Sequence, residues 1–247
     1  MSGHSKWSTI KRAKGKTDAA RSAMFTKIGR EIAVAVKAGG ADPNNNSSLR
    51  AIIAKAKAAN MPNDNITRSI KKASGELGSI NYESIVYEGY GLNGVAVIVE
   101  TLTDNKNRTG GDVRHTFDKF GGSLGTNGCV SYMFESKGII VIAKTDKTDD
   151  DEMMMVALDA GADDFNVEDD VYEIITAPES FDSVRDNLEK QGYAFEKSEV
   201  TRIPNMTVSL EGEAIVKFTK MLDMFEENDD VQNVYHNAEL PEEDDEE

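Results

Sequence analysis

The side chains with the plainest chemistry lie near the start of the chain, where Lys6, Lys11, Arg12, Lys14 and Lys16 accompany Trp7 between Gly3 and Lys16. An arm of this composition neutralises phosphates and gains affinity by releasing their counterions. An indole beside it can stack on an unpaired base or wedge into a groove, or can simply pack on a neighbouring core. Further cations follow at helical spacing: Lys27, Arg30, Lys37, Arg50, Lys55, Lys57, Arg68, Lys71 and Lys72. Residues 1–75 hold 15 Lys plus Arg against 4 Asp plus Glu, whereas the remaining chain holds 13 against 40. A formal charge of -16 spread evenly would repel a polyanion. Concentrated as it is, the positive charge points to an anionic partner for the first segment, and the sparse acids there argue against a purely solvating role.

One further cationic group stands outside that segment. Lys106, Arg108 and Arg114 surround the expected start of a helix after Leu102-Thr103-Asp104-Asn105, where amide groups and cations together can hold a phosphate. A capped turn with ordinary surface cations accounts for the same residues. The expected nucleic-acid site is therefore Lys6, Trp7, Lys11, Arg12, Lys14, Lys16, Lys27, Arg30, Lys57, Arg68, Lys71, Lys72 and Arg108.

Other patterns carry less. Gly89-Tyr90-Gly91-Leu92-Asn93-Gly94 spells the dinucleotide-binding fingerprint, but β-branched Val95 to Val99 follows where a helix N-terminus would have to receive the pyrophosphate. A hairpin turn is expected instead. His4, His115 and His236 are far apart, and no cysteine–histidine spacing suits zinc. The acids Asp146 and Asp149 to Glu152 lack the alternating ligands and central glycine of a calcium loop and read as a dipole-favoured helix start. Met153-Met154-Met155 reads as core and flank of that helix. No catalytic residue, cofactor or metal is expected.

The elements that position these residues fall into an α+β arrangement of three domains. Met24, Phe25, Ile28, Ile32, Ala35 and Val36 recur on one helical face from Asp18, with Lys27, Arg30 and Lys37 opposite. Asn46 or Ser47 caps a second helix, and a third runs from Asn63 to Gly75, setting Ile66, Ile70 and Ala73 against Arg68, Lys71 and Lys72. Then come strands at Ile85–Tyr87 and Val95–Leu102, a helix capped by Asp104 or Asn105, and a strand near Cys129–Phe134. From Gly138 the order is βαββαβ, the ferredoxin-like unit. A helix from Ser209 and a strand at Val231–Tyr235 are too little to fold alone, and complete the earlier ββαβ. The expected layout is a basic arm and three-helix bundle over 1–78, a discontinuous α/β domain over 79–135 plus 206–238, an inserted βαββαβ domain over 136–205, and an acidic tail over 239–247. Both α/β domains are expected to be ferredoxin-like.

Cys129 is the single cysteine, no apolar run approaches the roughly 20 residues of a membrane span, and the first residues have no apolar secretory stretch. These features predict a cytoplasmic protein with no membrane partner.

Several longer words extend over nearly the whole chain: Gly3-His4-Ser5-Lys6-Trp7, Phe25-Thr26-Lys27, Ala58-Ala59-Asn60-Met61-Pro62, Tyr87-Glu88-Gly89-Tyr90-Gly91, Leu102-Thr103-Asp104-Asn105 with Asn107-Arg108-Thr109, and Asp230-Val231-Gln232-Asn233-Val234-Tyr235-His236-Asn237. By these words the chain resembles the YebC/PmpR family of bacterial proteins, which also includes a mitochondrial translational activator. The resemblance implies three domains with a helical N-terminal one, no enzymatic activity, and regulation of gene expression through DNA. An alternative is a translation factor on ribosomal RNA that relieves stalls such as those at proline runs. The residues alone leave both targets open, since phosphate contacts position a protein without specifying sequence.

Overall fold

The computed structural model describes residues 18–75, 80–145 and 149–240, so the arm candidates Lys6, Trp7, Lys11, Arg12, Lys14 and Lys16 lie outside the described residues. Two compact units emerge: one joins the described residues up to Ser131 with Leu210–Ala238, and the other is built on Tyr132–Ser209. The fold class is the expected α+β one, with a helical bundle and two α/β layers, the second interrupting the first in sequence; the inserted layer has the ferredoxin-like βαββαβ order, whereas the discontinuous one, expected to share it, runs ββαβαβ.

In the first unit, α1 (Asp18–Gly39), α2 (Ser47–Ala58) and α3 (Asn63–Ser74) form the bundle. Ile28, Ile32, Ala35 and Val36 of α1 close on Leu49, Ala56 and Ile66 of the stripes that the periodicity marks, and on Met61 from the connection between α2 and α3, whereas Met24, expected on the packed face, is exposed. Asn46 ties the bundle together. Its Oδ1 accepts from Leu49 N at 3.0 Å as the N-cap of α2, while its Nδ2 donates to Ala35 O and Gly40 O, each at 2.8 Å. Asn46→Asp is therefore expected to cost about 2 kcal/mol although aspartate caps helices as well as asparagine, because a carboxylate oxygen would face two carbonyl oxygens, that of Ala35 in a buried contact. Urea denaturation checks this; a variant as stable as the parent would mean those two bonds carry no weight.

After the bundle, β1 (Glu83–Tyr90) and β2 (Ala96–Thr103) pair antiparallel across the glycine-rich word, where Asn93 and Gly94 take positive φ of 54° and 78°. The hairpin replaces the dinucleotide reading, as expected. α4 (Lys106–Lys119), capped by Asn105, leads to the short β3 (Ser123–Leu124). After the second unit the chain returns as α7 (Glu213–Glu226) and β8 (Val231–His236), and the sheet order is β3-β1-β2-β8. Phe117 of α4 meets Phe225 of α7 edge-on at 5.4 Å. Gly89 lets the sheet pass beneath them, since a Cβ there would lie 2.5 Å from Ser123 O and 2.9 Å from the Phe117 ring.

The strand expected near Cys129–Phe134 is absent; Ser131–Met133 is a 3₁₀ turn, and Phe134 opens the next strand instead. Glu88 is the reason. Its buried carboxylate accepts from the backbone N–H of Gly128, Val130 and Ser131 at 2.8, 2.9 and 2.8 Å, so these amides are not available to a ladder. Burial works to raise the pKa of Glu88, but the three amides and the Ser131 hydroxyl outweigh it and hold the carboxyl below its ordinary value.

The second unit runs β4 (Phe134–Ala143), α5 (Asp150–Ala160), β5 (Asp164–Val167), β6 (Val171–Thr176), α6 (Phe181–Lys190) and β7 (Lys197–Pro204). All pairings are antiparallel in the order β5-β6-β4-β7, the ferredoxin-like order read from its far edge. Ile140, Ile142, Tyr172 and Ile174 pack against Met153, Ala157, Val184 and Leu188 of its two helices. Asp149 caps α5 by accepting from Asp151 N and Glu152 N, which accounts for the acids there as a helix start.

Candidate nucleic-acid interface

The structure sorts the described cations into two groups. The first is engaged internally. Lys27 donates to Glu226 O at 2.9 Å, where the negative end of the α7 dipole favours a cation. Lys55 pairs with Glu31 at 2.7 Å, Arg50 donates to Pro43 O and Asn44 O, and Lys37 donates to Asn81.

Arg30 and Arg108 converge on one carboxylate. Asp230 stands just before β8 with a side chain only 4% exposed, and Arg30 of α1 reaches it while also donating to Leu102 O at 3.0 Å. From α4, Arg108 Nη2 donates to Asp230 Oδ2 at 2.7 Å and to Asp104 at 2.9 Å. The hydroxyls of Thr109 and Thr103 complete the shell at 2.7 and 3.2 Å from Oδ2. Burial alone would raise the Asp230 pKa; the Thr109 hydroxyl, Arg108 and Arg30 overcome it and hold the carboxyl down at about 2. Each guanidinium faces a full negative charge, so the cluster joins bundle to sheet.

The second group faces outward. Lys57, Arg68, Lys71 and Lys72 are exposed, and among the described residues none of them has an ion-pair partner. On α3 the buried Ile66 and the partly buried Ile70 and Ala73 face the core. Arg68, Lys71 and Lys72 follow one another at i, i+3 and i+4 on the opposite side. Like charges at these spacings cost a helix a few tenths of a kcal/mol each, roughly, and a bound anion would remove that cost. Lys71 and Lys72 also sit in the last turn, where the helix dipole favours them. Four residues, Ala59 to Pro62, join α2 to α3, with Asn60 at a positive φ of 56°.

Of the other candidates, His115 is exposed, and the ring of His236 meets Phe218 edge-on at 5.2 Å. Burial first, and then the nearby Glu88 charge, push the Cys129 thiol up, which disfavours the nucleophilic thiolate. Sequence reasoning missed Asp230, Thr103 and Thr109 as a group. The available signal was that two of the longer words, around Arg108 and Asp230, each bring polar side chains to an element boundary.

A three-helix bundle followed by a βαββαβ layer inserted in a second α/β layer, with cations exposed on the bundle, defines the class. The chain belongs to the TACO1/YebC family: it matches the family's N-terminal domain over residues 5–76 and its second and third domain over residues 82–238. It is 60% identical over 243 residues to a probable transcriptional regulatory protein of Clostridium novyi, covering 98% of this chain and 99% of that one. A probable transcriptional regulatory protein of Clostridium botulinum is 63% identical over 243 residues, with 98% of each chain covered. Among solved structures, a conserved hypothetical protein of Aquifex aeolicus superposes with a TM-score of 0.80 at 45% identity, covering 94% of this chain and 96% of that one. Among the described residues no helix is long and apolar enough to cross a membrane.

Proposed function

We propose that this protein regulates gene expression without catalysing a reaction, by binding the phosphate backbone of a nucleic acid through its N-terminal arm and the outer face of α3. The observation that carries the reading is the row of Arg68, Lys71 and Lys72, exposed opposite the core-packed side of α3 while Lys27, Arg30 and Arg108 are held by acceptors within the fold. Duplex DNA is the first target. The names of the relatives as probable transcriptional regulatory proteins support it, as does a second helix after a four-residue turn that offers Thr67, Arg68 and Lys71 outward. Structured RNA on the ribosome is the second reading. It is favoured by the few base-reading side chains beside many cations, which suit recognition of shape and backbone.

Ultraviolet crosslinking of the tagged protein in growing cells, followed by sequencing of the attached nucleic acid, tests both. Promoter-proximal DNA is the expected result for a transcriptional regulator, and ribosomal RNA clustered at one site for a translation factor. Recovery of neither above an untagged control would end the nucleic-acid reading.

A further inference from the structure

Helix α5 already satisfies the core of its domain with one side, through the buried Met153, Ala157 and Ala160. Its other side is apolar as well. Met154, Met155 and Leu158 are 40%, 61% and 50% exposed and lie at i, i+1 and i+4, so they form one contiguous stripe along the outer arc. Val167, 42% exposed on edge strand β5, lies on the helix-bearing face of the same sheet, since it pairs with the core residue Tyr172. Methionine side chains are polarisable and adaptable, which suits them to contact surfaces.

Around this stripe the charge is of one sign. Asp151, Glu152, Asp159 and Asp163 are exposed, and among the described residues none of them forms an ion pair. The helix dipole explains Asp151 and Glu152 in the first turn, but it opposes Asp159 near the last turn, which contains no basic residue. Residues 132–209 carry 19 acids against 7 Lys plus Arg. That field repels a second copy of the domain, a nucleic acid and an anionic membrane alike, and it attracts a cationic protein surface.

We infer that the outer face of α5 is a docking surface for a cationic amphipathic helix of a partner protein, with its apolar side on Met154, Met155 and Leu158 and its lysines or arginines over the surrounding acids. Burying the stripe gives the affinity, and the acid rim gives the attraction and the register. The inference does not depend on what the N-terminal domain binds.

The test uses the full chain and two labelled probe peptides, one a helix of lysine and leucine with all leucines on one side, the other of equal charge with serine for leucine. The amphipathic peptide is expected to bind at least about tenfold tighter, and the combined variant Met154→Ser, Met155→Ser, Leu158→Ser to lose that margin. Hydrogen exchange should show peptide-dependent protection over 150–160. Because the three side chains lie outside the core, the variant is expected to melt within a few degrees of the parent. Equal binding of both peptides, or a margin that survives the variant, would overturn the proposal. So would dimerisation of the parent chain in sedimentation that the same variant abolishes, since the face would then belong to a second copy.

Discussion

Asp230→Asn is expected to lower stability by about 2.5 kcal/mol near neutral pH, with the loss concentrated where the bundle meets the sheet. The magnitude follows from linkage. The Asp230 carboxyl is held at about 2 in the folded chain against an ordinary 3.8, so its charged form is favoured by folding. Above 3.8 the group is ionised in both states and its contribution is complete. Between 3.8 and about 2 the unfolded chain binds the proton first, so the contribution falls as pH falls, and below about 2 it is gone. Asparagine has nearly the shape of the protonated acid, so the variant should behave at pH 7 as the parent behaves in acid. It turns an NH₂ group toward one of the guanidiniums, or loses the acceptor of Thr109. Asp230→Ala should cost more, about 3 to 5 kcal/mol, because both arginines then lose their carboxylate altogether.

Two measurements check this. Urea titrations from pH 2 to 7 should give a difference between parent and Asp230→Asn that is flat above about pH 4 and closes toward pH 2. Hydrogen exchange should quicken in α1 around Arg30 more than in β4 to β7, since the Asp230 carboxylate is held from α1 and α4. A difference that persists unchanged at pH 2 would show that the carboxylate charge is not what holds these elements.

The contrast between Arg30 and Asp230 also marks how far the sequence could be read. Helix stripes were legible because each core position repeats with the helical period, and Ile28, Ile32, Val36, Leu49 and Ile66 are buried where that period places them. The inserted layer was legible from the alternation of β-branched runs and capped helices. Strand Cys129–Phe134 was not, because a single buried acid on another strand, Glu88, takes the amides that such a strand would use. The same kind of cause governs the site. Arg30 and Arg68 look alike in sequence, each a cation on the polar side of an amphipathic helix. What separates them is a carboxylate about two hundred residues away in the chain, and no local pattern carries that information.

That separation leads to a prediction with a built-in comparison. If α3 contacts backbone phosphates, the combined variant Arg68→Gln, Lys71→Gln, Lys72→Gln removes three exposed cations that form no ion pair among the described residues. The log-log dependence of affinity on salt should then become shallower by about 2.7 on duplex DNA, or about 2 on single strands, and affinity at low salt should fall about a hundredfold or more. Arg108→Gln serves as the opposite case. Its guanidinium already donates to Asp230 and Asp104 through Nε and Nη2, so much of its charge is met within the fold. That variant is expected to leave the salt slope unchanged within about 0.5 and to lower stability instead. Fluorescence anisotropy across a salt series, with the same duplex and a structured RNA, reads both variants side by side. An unchanged slope in the α3 variant would remove that helix from the interface and leave the arm to account for binding. A slope lowered by Arg108→Gln would mean that Arg108 meets a phosphate while it also serves Asp230, extending the interface beyond the bundle cations.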